Sequence, residues 1–256
     1  MKPKYPGLTP RSSRRSVLKG TVAGVTGLAA VAGVVGAGTL LAQRDENGAA
    51  HAQSTGAPGA EPIQTILNVA ITAEQLAVTF YTQALAHADR LGLGDAARLD
   101  IAAALVEEQI HEQFLAKQKA KALTSKFSFP FGRGTFKKLE AFIKVQQQLE
   151  TLFVAAYIAA ARDFAILKRP DLVQIAVQIG TVESEHRALG RAIGGLRPAD
   201  NHAFSPALLK KVGDAVNVLK KDGYLTPKPG NMFEFKPVST NFNGIVNVTW
   251  PEQTWS

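Results

Sequence analysis

Cysteine is missing from all 256 residues. Its absence removes disulfides, thiolate-bound metals, iron–sulfur clusters and cysteine nucleophiles together. Any metal held by this chain must therefore take oxygen and nitrogen donors. A Lys/Arg stripe interleaved with aromatics, the footprint of nucleic-acid binding, is also lacking. The formal charge of +8 does not supply one. Residues 1–52 hold seven basic residues (Lys2, Lys4, Arg11, Arg14, Arg15, Lys19, Arg44) against Asp45 and Glu46, and taking this +5 from the total leaves +3 on the remainder. No nucleic-acid partner is expected. A hydrophobic content of 46% excludes a wholly disordered chain and suffices for one substantial core plus appendages.

The basic leader has a pattern of its own. Ser13-Arg14-Arg15-Ser16-Val17-Leu18-Lys19 resembles the twin-arginine export signal, with Val17 where phenylalanine is usual. The stretch Thr21 to Ala42 is long enough to cross a bilayer. Its five glycines (Gly24, Gly27, Gly33, Gly36, Gly38) suit a signal's apolar region better than a membrane anchor. Ala50-His51-Ala52 offers a small-x-small cleavage site before Gln53, with a competing cut after Ala42. Residues 1–52 are thus read as a twin-arginine signal peptide, leaving no stable membrane span after cleavage. The expected location is periplasm, cell envelope or extracellular space.

Residues 53–61 are small, polar and Pro/Gly-containing, as a linker is. Beyond them the apolar residues take a three-four rhythm that predicts four long helices. The first runs from Pro62 through Leu67, Ile71, Val78 and Leu85 to the stop at Gly92 and Gly94, and the second from about Asp95 to Leu123. Thr124 to Gly134 has no helical period and is long enough to cross about 35 Å, most of a helix length. A third helix is expected from about Thr135 to Lys168, and a fourth from Arg169-Pro170-Asp171 to Gly194-Gly195. Short link, long crossover, short link predicts an all-α four-helix bundle over residues 62–195. Residues 196–256 are expected to hold a fifth helix, from Ser205-Pro206 to about Lys221, and an extended or irregular tail.

Set into these apolar stripes are two matching sets of ligand-type residues. Glu74 precedes Glu108-x-x-His111 by 34 residues, and Glu150 precedes Glu183-x-x-His186 by 33. Residues three apart share a helix face, so each Glu-x-x-His can aim a carboxylate and an imidazole at one spot. One such motif is a weak signal; two copies, each led by a glutamate in an apolar stripe, are a strong one. Four carboxylates converging in a core would repel one another and lose hydration at several kcal/mol each. Two divalent cations would neutralise them, and no Lys or Arg in the stripes of the first and third helices offers an alternative. Glu107 lies four before His111, but Val182 fills the matching place in the second half, so Glu107 is set aside. Glu185 points elsewhere, and Glu112, which matches Arg187 in register, is assigned an outer or surface role. Tyr81 and Tyr157 follow the lone glutamates by seven residues, on the same faces, where a phenol could hydrogen-bond a carboxylate ligand. His87 and His202 are expected at the surface.

With these residues in place the chain resembles the ferritin-like superfamily, in particular exported ferritin-like domain proteins similar to desiccation-related proteins. The resemblance covers about residues 62–195. It implies that Glu74 with His111 and Glu150 with His186 each terminate one metal, and that Glu108 and Glu183 bridge the two. The metals implied are Fe or Mn, since six donors exceed the needs of tetrahedral zinc. The chain has no cysteine-rich electron-transfer centre, and its long carboxyl-terminal extension disfavours a storage cage; homo-oligomerisation is left open.

Two functions follow as expectations. The first is a di-iron or di-manganese oxidoreductase of peroxidase, catalase or ferroxidase type, its partner a small oxidant, hydrogen peroxide or dioxygen, with Tyr81 and Tyr157 assisting from behind the ligands. The alternative is a non-catalytic, metal-binding or stress-protective protein in which metal staples the bundle.

Overall fold

The computed structural model describes residues 59–241, 245–248 and 250–251. The signal-peptide reading of residues 1–52, its cleavage site and residues 53–58 of the expected linker lie outside the described residues.

Apolar spacing of three and four builds α1, Ile63–Ala86, which His87 interrupts before the short α2, Ala88–Leu91. Gly92, at φ 68°, supplies the left-handed step that turns the chain into α3, Asp95–Lys117. After the crossover come α4, Leu139–Ile166, and α5, Pro170–Ile193, the latter opened by a proline whose missing N–H costs a helix start nothing. A short α6, Asp214–Lys221, follows. α1 packs chiefly on α3 and α4 chiefly on α5, so two helical hairpins joined by the crossover make the all-α four-helix bundle. Among the described helices α1 is long and apolar enough to cross a membrane, but 78% of its most apolar window is buried inside the bundle.

Several boundaries differ from the sequence expectation. α3 stops at Lys117 rather than near Leu123 because Lys119 adopts the left-handed conformation at φ 62°. Its N–H donates to the Ala116 carbonyl, and the Ala120 N–H to that of Leu115, a paired closure that satisfies the last carbonyls. Lys168, at φ 56°, ends α4 in the same manner, donating to Ala165 while Arg169 donates to Phe164. α4 begins at Leu139, not Thr135, because Gly132–Phe136 forms a 3-10 turn and Lys138 is extended. The fifth helix begins only at Asp214: the Gly213 N–H just before it donates to Glu61 Oε2 at 2.7 Å, while Leu209 and Val212 are buried ahead of it. Glu61, the last residue of the expected linker, is thereby held to the domain, its own N–H donating to Asp163.

The crossover is built around phenylalanine. Phe127, Phe129 and Phe136 are buried, and Phe129 and Phe136 pack on Phe80 of α1, which stacks in turn on Phe142 of α4 at 4.9 Å between centroids. The carboxyl-terminal tail closes this cluster from outside. Its strand β2, Phe233–Glu234, pairs antiparallel with β1, Lys126–Phe127, and Phe233 meets Phe129 edge-on at 5.0 Å. Ser128 Oγ donates to the Gly223 carbonyl and its N–H to that of Tyr224, while the Asn231 amide bonds both backbone groups of Phe129. Farther on, the Val238 N–H donates to Gln109 Oε1, tying the tail to α3. Ile245–Val248 forms no strand.

Candidate metal centre

Each of the four long helices turns a glutamate inward. Glu74 comes from α1, Glu108 and His111 from α3, Glu150 from α4, and Glu183 and His186 from α5. All four glutamates and His186 are at most 2% exposed; the His111 side chain is 12% exposed. The structure brings all six together in two overlapping groups of four. Glu74, Glu108, His111 and Glu183 form one, and Glu108, Glu150, Glu183 and His186 the other, with one donor atom from each residue within 4.8 Å of the rest.

The shared pair, Glu108 and Glu183, faces both ways. Glu108 turns Oε2 toward His111 Nδ1 at 3.7 Å and Oε1 toward His186 Nδ1 at 3.0 Å. Glu183 places Oε1 at 3.5 Å from His111 Nδ1 and Oε2 at 3.6 Å from His186 Nδ1. Glu74 Oε2 lies 3.5 Å from His111 Nδ1.

The hydrogen-bond accounting fits a cation. Among the described residues, nine buried side-chain N/O atoms lack a partner aligned for a hydrogen bond, and apart from the Thr82 and Thr135 hydroxyls all belong to five of these six residues. They are both oxygens of Glu108 and of Glu183, Glu150 Oε2, and Nδ1 of each histidine. Orphaned buried acceptors are costly, and here they converge from different helices on common points. Without a cation the charge balance is met by protons. Burial pushes the Glu74 carboxyl well above the usual carboxylate range, and the charges of Glu108 and Glu183 add to it. Burial, with Glu183 beside it, does the same to Glu150. Burial also presses on Glu108, but the imidazoles of His111 and His186 outweigh it and hold that carboxyl below the usual range. Burial opposes charge on His111 and His186 too, yet the surrounding carboxylates raise both well above the ordinary imidazole value. Such a donor set takes up protons where a divalent ion would release them.

The phenols reach across the bundle. Tyr157 donates to Glu74 Oε1 and Tyr81 to Glu150 Oε1, so each tyrosine serves the glutamate of the other half. Burial raises both phenol pKa values further than the adjacent glutamate charges do, and the hydroxyls remain donors. Gln146 Nε2 donates to the Tyr81 hydroxyl and to the His186 carbonyl, fixing this side of the centre from α4. It fits because Gly190 has no side chain: a Cβ there would lie 2.0 Å from Gln146 Oε1.

Two contributors were missed in the sequence. Glu107 Oε2 accepts from the His186 ring Nε2–H at 2.8 Å, so the carboxylate set aside on symmetry grounds holds a histidine of the opposite hairpin. Gln146 carried only the faint signal of a polar residue four before Glu150. Glu112 stays outside the donor groups, accepting from Gln75 and Gln109, and Arg187 donates to Thr151 and Asn201. His87 and His202 are half-buried rather than at the surface: His87 stacks on Phe136, and His202 meets Arg187 at 3.2 Å.

The family model for a ferritin-like domain matches residues 64–195. No curated protein and no solved structure matches the chain. The matched segment begins within α1, ends just beyond α5 and contains all six inward-facing donors. The chain belongs to the ferritin-like domain family.

Proposed function

We propose that this chain is an exported ferritin-like protein whose bundle holds a dinuclear, carboxylate-bridged Fe or Mn centre that reacts with hydrogen peroxide or dioxygen. One observation carries the reading: two four-residue donor groups share Glu108 and Glu183, and each of these turns a different oxygen to each histidine. In this reading Glu74 with His111 and Glu150 with His186 are the terminal sets. Four carboxylates balance two divalent cations, and an oxygen-rich shell with two imidazoles suits Fe or Mn. When bound, such a pair supplies electrons to an oxidant and open positions for it.

The protein's own contribution is orientation and exclusion of water. Tyr157 and Tyr81 each occupy one oxygen of a terminal glutamate and direct the other inward. Glu107 orients the His186 ring, leaving Nδ1 free to coordinate. The apolar walls of α1 and α4 keep bulk water from the carboxylates. The leader's Arg14-Arg15 motif supports export, which suits acquisition of metal before leaving the cytoplasm, and kinship with desiccation-related exported proteins belongs to the same reading.

Elemental analysis of natively expressed protein is expected to find about two Fe or Mn per chain. Fe(II)-loaded protein should consume peroxide or dioxygen, and Glu108→Ala should not. Equal consumption by both would remove the redox role. Metal content that raises thermal stability with no turnover would instead favour a stapled, non-catalytic bundle, since the donors come from all four long helices.

A further inference from the structure

Among the described residues, a cleft outside the donor groups reaches the centre. A cavity of about 190 Å³ lies between α3 and α5 and is walled on its outer side by the carboxyl-terminal segment. Its inner end carries His111, the most exposed of the six donor residues, together with Glu107, the partner of His186. The cleft thus touches one imidazole directly and the other through a single carboxylate. Its flanks are apolar, with Phe114 from α3 and Ile179 from α5, and Val248 and Trp250 from the tail. The tail is held there by defined contacts: Val238 bonds Gln109, and Lys117 Nζ sits 4.0 Å above the Trp250 ring.

We propose that this cleft binds a small uncharged organic molecule, about one ring in size and carrying a single hydroxyl, with the hydroxyl toward Glu107 and His111 and the ring between Phe114, Ile179 and Trp250. Size is the first argument: an apolar cavity of about 150 Å³ takes up benzene, and this one is somewhat larger. Polarity is the second. The cleft offers a carboxylate, which only accepts hydrogen bonds, and the amide of Gln178, which can donate one. A hydroxyl satisfies both. A carboxylate ligand would meet Glu107 with like charge between apolar flanks, where an unpaired ion is disfavoured. The tail's residues then act as specificity determinants, since they set the width of the outer wall. The site extends the proposed function by naming an organic molecule beside the small oxidant, and only the fate of that molecule rests on the metal reading.

The test is a titration of phenol into the full chain, with and without loaded metal, followed by saturation-transfer NMR and calorimetry. Saturable binding with Kd of about 1 mM or tighter is expected, with benzoate at least about tenfold weaker. Val248→Trp, which fills the outer wall from an exposed position and replaces none of the donor residues, should weaken phenol at least about tenfold while leaving the melting temperature unchanged. Binding of phenol to Val248→Trp as tightly as to the parent, equal binding of benzoate, or no saturable binding at all would overturn the proposal. Because the metal-free chain is one arm, loss of phenol binding with normal metal loading removes the cleft alone. Phenol binding by a chain that takes up no metal when loaded removes the metal reading alone.

Discussion

Tyr157 of α4 donates its phenolic proton to Glu74 of α1, 83 residues earlier, and Tyr81, the tyrosine of the first half, does the same for Glu150 of the second. The exchange follows from antiparallel packing of α1 and α4: a tyrosine seven residues after each lone glutamate faces the other helix's glutamate, not its own. Tyr157→Phe should leave Glu74 Oε1 without its donor and reduce metal affinity about 10–100-fold, because a partner behind a ligand fixes its geometry. Isothermal titration with Fe(II) or Mn(II) reads this. Affinity unchanged in the variant would mean the phenol only fills space.

Glu107→Gln tests the other supporting contact. Loss of the carboxylate beside His186 Nε2 should cost metal affinity by about the same 10–100-fold factor, while the half-exposed position of Glu107 leaves the melting temperature of the metal-free chain nearly unchanged. Full metal content in this variant after dialysis against a weak chelator would contradict the role assigned to Glu107.

Protons and metal compete for the same atoms, and the signs can be worked out. Glu74, Glu150, His111 and His186 all bind protons more tightly in the metal-free fold than in an unfolded chain. Their contribution to metal-free stability is fully present below the unfolded values, about 4.3 for Glu and about 6.5 for His, and is lost as pH rises from there through the raised native values. Glu108 acts oppositely, but below the usual carboxylate range. The metal-free protein should therefore melt at lower temperature as pH rises from about 5 to about 8, while metal affinity climbs over the same range with proton release. Scanning calorimetry of chelated and loaded samples measures both trends; a metal-free melting temperature that rises across this range would be the wrong sign.

Gly190→Ala probes the packing behind the centre. The added methyl would overlap the Gln146 amide, which is 2% exposed and bonded to Tyr81 and His186, so Gln146 must leave its place. Denaturant unfolding should show a loss of about 1–3 kcal/mol, the usual cost of overpacking. Chemical stability equal to the parent would show that Gln146 moves freely.

The bundle was legible in the sequence because burial of one face imposes a three-four rhythm that survives in any single chain, and the six donors stood out as acids inside that rhythm. Helix ends were less legible. Lys119 and Lys168 take left-handed stops that glycine or asparagine would advertise and lysine does not. Glu107 was set aside by an argument from internal symmetry, and the symmetry is imperfect: Val182 occupies the matching place in α5. The carboxyl-terminal tail was the least legible part. Its two-residue strand has meaning only against a partner more than one hundred residues earlier, and local patterning carries no trace of so distant a neighbour.

That distance bears on how the molecule is made. Ser128 and Phe129 find their partners at Gly223 and Asn231, separations of 95 and 102 residues. During synthesis, at about 5–20 residues per second, the aromatic loop emerges long before anything exists to sheathe it. Ribosome-bound chains halted short of Gly223 should thus be the sticky ones, and a chaperone that guards nascent chains would find its binding segment between the two hairpins rather than within either.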